Sequence, residues 1–483
     1  MPSPTPPEAL PSKQPAGPGT PPNLFATRLE QAALLHAGLL VIGASWAFGG
    51  NIGWARLALS ILGSLAPLLT LAAWFQPGPA GPATRRRSWW LLPWLGFVLL
   101  VVASGFNPSF SRLVLEGEPF FAHRGEALPG WPSSVDPSQT WRELWFSAGA
   151  YLVAANLILC VQSRRSLRVL FAVLGVNTLV LAIYGTLQKL GAQGYYFGAI
   201  ESPNPRFFAT FIYYNHWGAF MMLGLTTAAG LLFYHVRQKD ARDLWHSPFT
   251  LAVIGLLLIA ACAPISASRA ATAMAALVIV VVTAHGLLRI VNKRGQRSFP
   301  AITALVVCVI VAVSATAWLA QRSIKERYQD TIAGSTGGKN LFEGRIALYR
   351  DTWELAMRKP VFGWGLDSYG TAFLLIRPRP LAAERQYESS FVDAHNDWFQ
   401  SVAETGFAGT GLLILMGLLP LSTLPRKSLR HPLVVYPLFG CALVALYAWV
   451  EFPFANAAVL LSFWITFFAA IRYARLLPRE DRG

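Results

Sequence analysis

Apolar windows of about 20 residues recur along almost the whole chain, and this pattern restricts the fold more than any motif does. A helix of that length crosses the hydrocarbon core of a bilayer. The windows lie at 31–49, 55–76, 88–106, 143–162, 167–189, 208–235, 248–266, 270–290, 299–320, 405–424, 432–451 and 456–474. The chain is 54% hydrophobic and only 13% charged, with a mean hydropathy of +0.43, which argues against a soluble domain. The sequence therefore predicts an all-α integral membrane protein with about twelve transmembrane helices.

Basic residues between the windows predict the orientation in the membrane. Alternate connecting segments hold 20 Lys and Arg residues, whereas the intervening short segments hold only six Arg residues. Because basic residues are retained on the cytoplasmic side, both termini are expected in the cytoplasm and the long segment 321–395 outside. The net charge of +16 is scattered between apolar spans rather than clustered, so no nucleic-acid partner is expected.

The windows divide the chain into five segments. Residues 1–28 are rich in Pro and are expected to form a disordered cytoplasmic tail. Residues 29–320 would hold transmembrane helices 1–9, and residues 321–396 would form a large, partly helical loop domain between the ninth and tenth helices. Helices 10–12 would follow in residues 397–475, with a short cytoplasmic tail at 476–483.

The stretch from Gly344 to Gly411 carries the densest set of distinctive residues. Its first part, GRIALYRDTWELAMRKP, has apolar residues at helical spacing and predicts an amphipathic helix that ends before Pro360. The Gly363-Trp364-Gly365 turn would let the backbone approach another element closely. His395 and Asn396 stand where a second helix is expected to begin and to continue into the membrane.

Few basic residues lie on the predicted outer side, and several of them have distinctive settings. Arg206 lies in SPNPRFFATFIYYNHWGAF at the mouth of the sixth span, and Arg269 lies in ISASRAATAM, a very short connection between the seventh and eighth spans. Arg345 and His395 belong to the long outer loop. Gathered at the outer ends of several helices, these groups would surround an anion where lipid strengthens each contact. The imidazole could also move a proton there.

The cysteines give no sign of a metal site. Cys160, Cys262, Cys308 and Cys441 all fall inside apolar runs and are widely spaced, which argues against a disulfide framework and against a zinc site. We therefore expect these cysteines to be core residues, and no cofactor is expected.

Two groups of motifs resemble a known family. The run RIALYRDTWELAMRKPVFGWGLDSYG, followed by HNDWFQSVAETGFAGTG, resembles the signature of the O-antigen ligase and polymerase superfamily. In that signature an Arg-led helix ends at a Pro-x-x-Gly-x-Gly turn, and a His-Asn pair and a Glu-x-Gly-x-x-Gly element follow. RFFATFIYYNHWGAF and SASRAATAM are similar to two further elements of the family. The resemblance covers about residues 200 to 420, although Ala209 stands where the family often has Gly.

The resemblance implies a metal-independent, inverting glycosyltransferase on the periplasmic face of the bacterial inner membrane. Its donor would be an undecaprenyl-pyrophosphate-linked glycan, and its acceptor a hydroxyl on lipid A-core, on another glycan or on a protein. Carried over to this chain, Arg206 and Arg269 would hold the pyrophosphate. Arg345 would assist the pyrophosphate or the acceptor, and His395 would deprotonate the attacking hydroxyl, because a neutral imidazole can accept that proton.

Several residues near these positions have a structural and a functional interpretation. Asp393 or Asp397 could orient His395, or both could simply face water. Asn215 lies within an apolar span, where an interhelical hydrogen bond is the simpler interpretation. Asn396 would begin a helix, and Glu404 would cap or pair within that helix rather than act as a second base. Glu451 would do the same at the outer end of its span.

Three other functions compete with ligation. A polymerase of the same superfamily is the nearest alternative. A lipid or polysaccharide transporter would show repeated halves or polar groups at the membrane midplane, and the sequence shows neither. An inactive scaffold would have no need to retain both His395 and Arg269. The acceptor, the donor sugar and the oligomeric state stay open at this stage.

Overall fold

The structure is a computed structural model of the 483-residue chain. It describes residues 24–78, 80–115, 118–191, 194–238, 248–292, 341–377 and 392–478, together with residues 321 and 325. The predicted span 299–320 lies outside the described residues, as do most of the predicted N-terminal tail and the end of the C-terminal tail.

Helices make up most of the described chain, and we number them in chain order. They are α1 Leu24–Trp46, α2 Gly53–Gly63, α3 Ala66–Trp74, α4 Ala80–Arg86, α5 Leu92–Phe106, α6 Pro137–Cys160, α7 Arg164–Leu190, α8 Tyr214–Gln238, α9 Pro248–Ile265, α10 Arg269–Asn292, α11 Leu341–Arg358, α12 Tyr369–Ala372, α13 Asp397–Ser422, α14 Pro432–Tyr447 and α15 Ala457–Arg475. The strands are β1 Phe110–Leu115, β2 Glu118–His123, β3 Tyr195–Tyr196 and β4 Ile200–Glu201, which pair as two antiparallel hairpins.

Nine helices in the described part of the chain are long and apolar enough to cross a membrane, if α2 and α3 are counted as one span over Gly53–Trp74. Helices α9 and α14 are apolar but shorter. The dominance of apolar helices, with strands only in two hairpins of the described chain, agrees with the predicted all-α membrane class. The count of twelve spans stays a prediction.

The boundaries differ from the predicted ones at two places. Helix α1 begins at Leu24, inside the segment predicted as a tail, because the Pro-rich sequence ends at Pro22 and apolar residues follow at once. The span predicted at 55–76 bends between α2 and α3, where Pro67 stands in the first turn of α3 and lacks the N–H that a continuous helix would need.

Helices α6, α8 and α15 form the centre of the bundle. The most apolar windows of these three helices are 72%, 83% and 78% buried, whereas that of α10 is only 17% buried. Small residues let the central helices approach their neighbours. Gly149 of α6 lies against Gly63 of α2, and a Cβ on Gly149 would be 3.3 Å from the Gly63 carbonyl. Helix α10 therefore lies at the edge of the described bundle.

One end of the bundle carries most of the irregular structure, and we call it the loop end. It contains residues 107–115, 118–136, 194–213, 266–268, 359–377, 392–396 and 448–456. Helix α11, the β1–β2 hairpin and the 364–376 segment share a small core of their own there, which includes Phe110, Leu355, Trp364, Tyr369 and Phe373. The predicted amphipathic helix before Pro360 is confirmed as α11, and it packs against α13.

Candidate functional site

Glu451 joins two of the predicted site residues at the loop end. Its Oε1 accepts a hydrogen bond from Arg345 Nη2 at 2.7 Å, and its Oε2 lies 3.3 Å from His395 Nδ1. Arg345 also donates from Nη1 to the Val450 carbonyl at 3.1 Å. The Glu451 side chain is only 5% exposed, whereas those of Arg345 and His395 are 43% and 31% exposed. The carboxylate is therefore buried beneath two groups that can still be reached by a substrate.

Local hydrogen bonds fix the position of His395. Its backbone is left-handed, with φ 51°, an uncommon conformation for a residue other than glycine. The Tyr349 hydroxyl on α11 donates to the His395 carbonyl at 2.9 Å. Asn396 then caps α13, because its Oδ1 accepts from the Phe399 N–H at 3.0 Å, which confirms the predicted helix start. His395 is thus held at the point where two helices meet.

Asp397 attaches this corner to the loop after α14. Its N–H donates to the Ala448 carbonyl at 2.9 Å, and its Oδ2 accepts from the Phe454 N–H at 2.9 Å. These bonds hold the 448–454 loop, and with it Glu451, beside His395. Asp397 therefore has a structural part in the site, and the carboxylate that contacts the imidazole is Glu451 rather than Asp393 or Asp397.

The Phe452 ring connects the imidazole to α8. It meets the His395 ring edge to face, with centroids 4.7 Å apart, and stacks on Tyr213 at 5.5 Å. The Tyr213 hydroxyl accepts a hydrogen bond from Asn215 Nδ2 at 2.8 Å. The start of α8 is therefore packed directly behind the ring that covers one side of His395.

Asn215 extends the same contacts to the start of α10. Its Oδ1 accepts from the Ser268 hydroxyl at 2.6 Å, and Arg269 is the next residue. Asn215 thus forms a structural hydrogen bond, but its partner lies in the short connection before α10 rather than within a second helix as predicted. The exposed Arg206 lies in the segment that leads into α8, where its carbonyl accepts from the Tyr214 N–H at 3.1 Å. The structure thus brings Arg345 and His395 together through Glu451, and it connects the segments of Arg206 and Arg269 to them through their neighbours.

The charges around Glu451 define its ionisation. Burial alone would raise the pKa of the Glu451 carboxyl, but the hydrogen bond with His395 and the charge of Arg345 outweigh burial and hold that pKa below its usual value. Glu451 is therefore an anion at neutral pH and acts as an acceptor. Because an ionised carboxylate can only accept, His395 Nδ1 donates this hydrogen bond, and Nε2 is the ring nitrogen that remains for other partners.

Glu404 has a structural position in the described site. Its Oε2 accepts from the Asp367 N–H at 3.0 Å, and its Oε1 accepts from the Tyr369 N–H at 3.3 Å and from Gln400 Nε2 at 3.0 Å. The carboxylate thus attaches the 363–369 turn to α13. This position agrees with a pairing role, although its second partner is the turn rather than the helix itself.

The Gly363-Trp364-Gly365 turn packs tightly on α13, as predicted. The N–H of Trp364 donates to the Ala403 carbonyl at 2.9 Å, and that of Gly365 to the Glu404 carbonyl at 2.8 Å. Gly363 has φ 70°, and a Cβ there would overlap the Glu404 backbone. Helix α13 is broken at Gly406, with φ 64° and ψ −176°, where the chain faces the Val361 carbonyl.

Asp393 lies on the wall of a cavity of about 490 Å³ that also includes Arg56, Glu143 and Asp367. Burial raises the pKa of Asp393, while the charge of His395 and a hydrogen bond from Gln400 oppose that rise. Asp393 therefore lies near the imidazole.

Sequence reasoning missed Glu451 and Phe452 as site residues. The sequence signal was a lone carboxylate in WVEFPF at the outer end of an apolar span. That signal is weak by itself, because a glutamate at a helix end is ordinary. Only its contacts with Arg345 and His395, which lie 106 and 56 positions earlier in the chain, identify Glu451 as a site residue.

These elements define a multi-helix membrane protein with an Arg–Glu–His cluster at one end of its bundle. Residues 254–414 match the family model described as O-antigen ligase. This match spans 161 of the 483 residues and confirms the predicted resemblance to the O-antigen ligase and polymerase superfamily. The matched region includes Arg269, Arg345 and His395, and it excludes Arg206 and Glu451. Among curated proteins, none matches the chain.

Proposed function

We propose that the protein transfers a glycan from an undecaprenyl-pyrophosphate-linked donor to a hydroxyl of an acceptor, with inversion at the anomeric carbon and without a metal ion. The reaction would take place on the periplasmic face of the inner membrane. The observation that carries this proposal is the position of Glu451, which accepts hydrogen bonds from Arg345 and His395 at once. A buried carboxylate behind a reachable imidazole is an arrangement suited to a general base.

The chemistry balances with the groups at the site. The acceptor oxygen forms a bond to the anomeric carbon while the bond from that carbon to the pyrophosphate oxygen breaks. The pyrophosphate leaves with the electron pair, and the hydroxyl proton passes to His395 Nε2. Glu451 keeps the tautomer that exposes Nε2 and stabilises the imidazolium that forms, as a carboxylate does behind a catalytic histidine.

Arg206 and Arg269 are the proposed pyrophosphate-binding residues. Guanidinium groups bind phosphate oxygens with paired hydrogen bonds and can balance the charge of the leaving group without a cation. Arg345 is already bonded to Glu451, so we assign it first to positioning that carboxylate, with its exposed face left for substrate. Asn215 and Asn396 would support the site through the contacts described above.

Ligation to another glycan or lipid and polymerisation of repeat units use the same chemistry and differ only in the acceptor. Ligation is the function proposed first, and polymerisation is the alternative. A transporter is less well supported, because the Arg–Glu–His cluster lies at an end of the bundle rather than near its middle, where transporters bind their substrates.

The proposal is tested with the purified full-length protein, a lipid-pyrophosphate-linked glycan and candidate acceptors. His395→Ala is expected to lower the transfer rate by at least about 100-fold, the usual contribution of a general base. His123→Ala is the matched control, because His123 is an exposed histidine on the β1–β2 hairpin, and it should leave the rate unchanged. A correctly inserted His395→Ala variant with a normal rate would contradict the mechanism.

The pyrophosphate assignment is tested separately. Arg206→Ala and Arg269→Ala are expected to weaken donor binding, which appears as a higher KM for the donor. Arg112→Ala on the exposed hairpin is the control for lost positive charge. Equal donor KM values for all three variants would exclude these arginines from the donor site.

A further inference from the structure

A cavity beside His395 has no part in the mechanism described so far. Its volume is about 490 Å³, within the range of sites that take one small molecule. It lies between α5, α6, α13, α14 and α15, with a polar part at the loop end and an apolar part deeper in the bundle. The apolar walls include Leu418 on α13, Leu438 on α14 and Phe463 on α15.

The apolar part of the cavity is open along the surface of α13. Ile414, Leu418 and Leu421 line it, and they are 42%, 52% and 37% exposed. These residues belong to a helix that can span the membrane, so their exposed surface faces lipid chains. An alkyl chain can therefore enter the cavity sideways from the bilayer.

The polar part of the cavity is acidic. Its wall holds the carboxyl groups of Glu143, Asp367, Asp393, Asp397 and Glu404, and one cation, Arg56, which forms an ion pair with Glu143. In the described chain no group of three or more His, Cys, Asp and Glu residues is arranged to hold a metal ion. Sugar hydroxyls can donate hydrogen bonds to ionised carboxyl groups and accept them from protonated ones, whereas a phosphate would find on this wall only Arg56, which is already paired with Glu143.

Asp367 adds a group suited to hydroxyl partners. Burial, and then the charge of Glu143, raise the pKa of Asp367 to about 7. Close to neutral pH this carboxyl is therefore protonated about half of the time, so it can both donate and accept hydrogen bonds. A hydroxyl-bearing, uncharged ligand matches that behaviour better than an anion does.

The cavity wall includes residues on both sides of His395 in the chain. Asp393 and Asp397 lie two residues before and two residues after His395, and both are on the cavity wall. The Phe452 ring lies between His395 and Tyr213 at the start of α8. The donor pyrophosphate is assigned to Arg206 and Arg269, so the cavity lined by carboxyl groups remains for the second substrate.

We propose that this cavity binds the acceptor, a glycolipid whose tail enters from the bilayer and whose uncharged sugar head presents hydroxyl groups to the carboxylates beside His395. An acceptor with phosphate on the sugars nearest its tail is disfavoured there. The assignment of this ligand as the acceptor rests on the proposed function. The binding of an uncharged glycolipid to the cavity can be measured without any transfer reaction.

The test uses two photoreactive lipids with the same diazirine-bearing acyl chain, a glucosyl diacylglycerol and a phosphatidic acid. Each is irradiated with the full-length protein in phosphatidylcholine nanodiscs, and the labelled peptides are identified by mass spectrometry. We expect the glucosyl lipid to label the cavity-lining peptides of α13, α14 and α15 about tenfold more than the phosphatidic acid, because the wall offers a phosphate no cation apart from Arg56, which is paired with Glu143.

Two tryptophan substitutions on the same helix make the test specific. Leu418→Trp places a large side chain in the cavity and should reduce the labelling about tenfold. Leu415→Trp is the matched control, because Leu415 is 41% exposed on α13 but does not line the cavity, and it should preserve the labelling. Asp367→Asn removes one negative charge and should narrow the preference for the glucosyl lipid.

Three results would overturn the inference. They are equal or stronger labelling by phosphatidic acid, no labelling of the cavity peptides by the glucosyl lipid, and glucosyl labelling that Leu418→Trp does not reduce. None of them bears on whether His395→Ala transfers glycan. Conversely, normal transfer by His395→Ala would remove the proposed mechanism and leave the labelling result unaffected.

Discussion

The contact between Glu451 and His395 gives the most direct test of the site. Glu451→Gln keeps the size and shape of the side chain but removes its negative charge. Only the bond to His395, at 3.3 Å, bears on proton transfer, whereas the bond to Arg345 positions the carboxylate. A hydrogen bond to a charged group contributes about 1.5 to 3 kcal/mol, so we expect kcat to fall by roughly 10- to 150-fold.

A positioning role has a kinetic signature that a packing defect does not share. The KM values for donor and acceptor should change little in Glu451→Gln, because the lost interaction is made in the transition state. Glu451→Asp keeps the charge with a shorter reach and should recover part of the rate. Glu354→Gln is the matched control, since Glu354 forms an exposed ion pair with Arg358 on α11 and should keep the wild-type rate.

The pH dependence of this effect has a defined sign. The pKa of Glu451 in the folded protein lies below its ordinary value of 4.5. The stabilisation from its ionised form is therefore complete above pH 4.5 and is lost as the pH falls through the lowered value. The stability difference between wild type and Glu451→Gln should accordingly be constant at neutral pH and shrink in acid. A Glu451→Gln variant that is correctly inserted and retains the full wild-type kcat would refute the positioning role.

Three further predictions concern the turn on α13 and the cavity wall. Gly406→Ala should destabilise the protein by at least about 2 kcal/mol, because alanine is strained at this φ and its methyl group would overlap the Val361 carbonyl. Thermal unfolding measures this loss, and Gly411→Ala, with open space around it, is the control. Glu404→Ala should cost about 2 to 5 kcal/mol in the same assay, since two backbone N–H groups lose their acceptor; a midpoint equal to wild type would contradict this. Because the folded pKa of Asp367 is about 7 against an ordinary 3.8, its titration reduces stability as the pH rises from 3.8 to 7. Asp367→Asn should therefore gain stability relative to wild type as the pH rises across that range. A stability difference that does not change with pH would exclude the raised pKa assigned to Asp367.

Local sequence patterns predicted the elements that depend on a short window of residues. The apolar windows predicted the membrane class, because crossing a bilayer requires a fixed helix length. Helix α11 and its end before Pro360 follow from apolar spacing and from the missing N–H of proline. The cap at Asn396 follows in the same way from the preference for short polar side chains before the first turn.

Contacts between distant segments were not predictable from those patterns. The sequence identified Arg345 and His395 but assigned Glu451 to its own helix, since a single carboxylate at a span end does not indicate which loop it will contact. The pairing depends on how the loop after α14 folds back onto the start of α13, through bonds such as that of Asp397 with the Phe454 N–H.

The sequence by itself determined that this chain is a helical membrane protein with arginines and a histidine at the ends of its helices, because span length, charge placement and motif spacing are properties of the chain. Only the tertiary structure decided that Glu451 lies between Arg345 and His395, and that carboxyl groups from four segments of the chain line one cavity. The physical reason is that helix packing, which arises from many side-chain contacts across the bundle, sets which residues become neighbours.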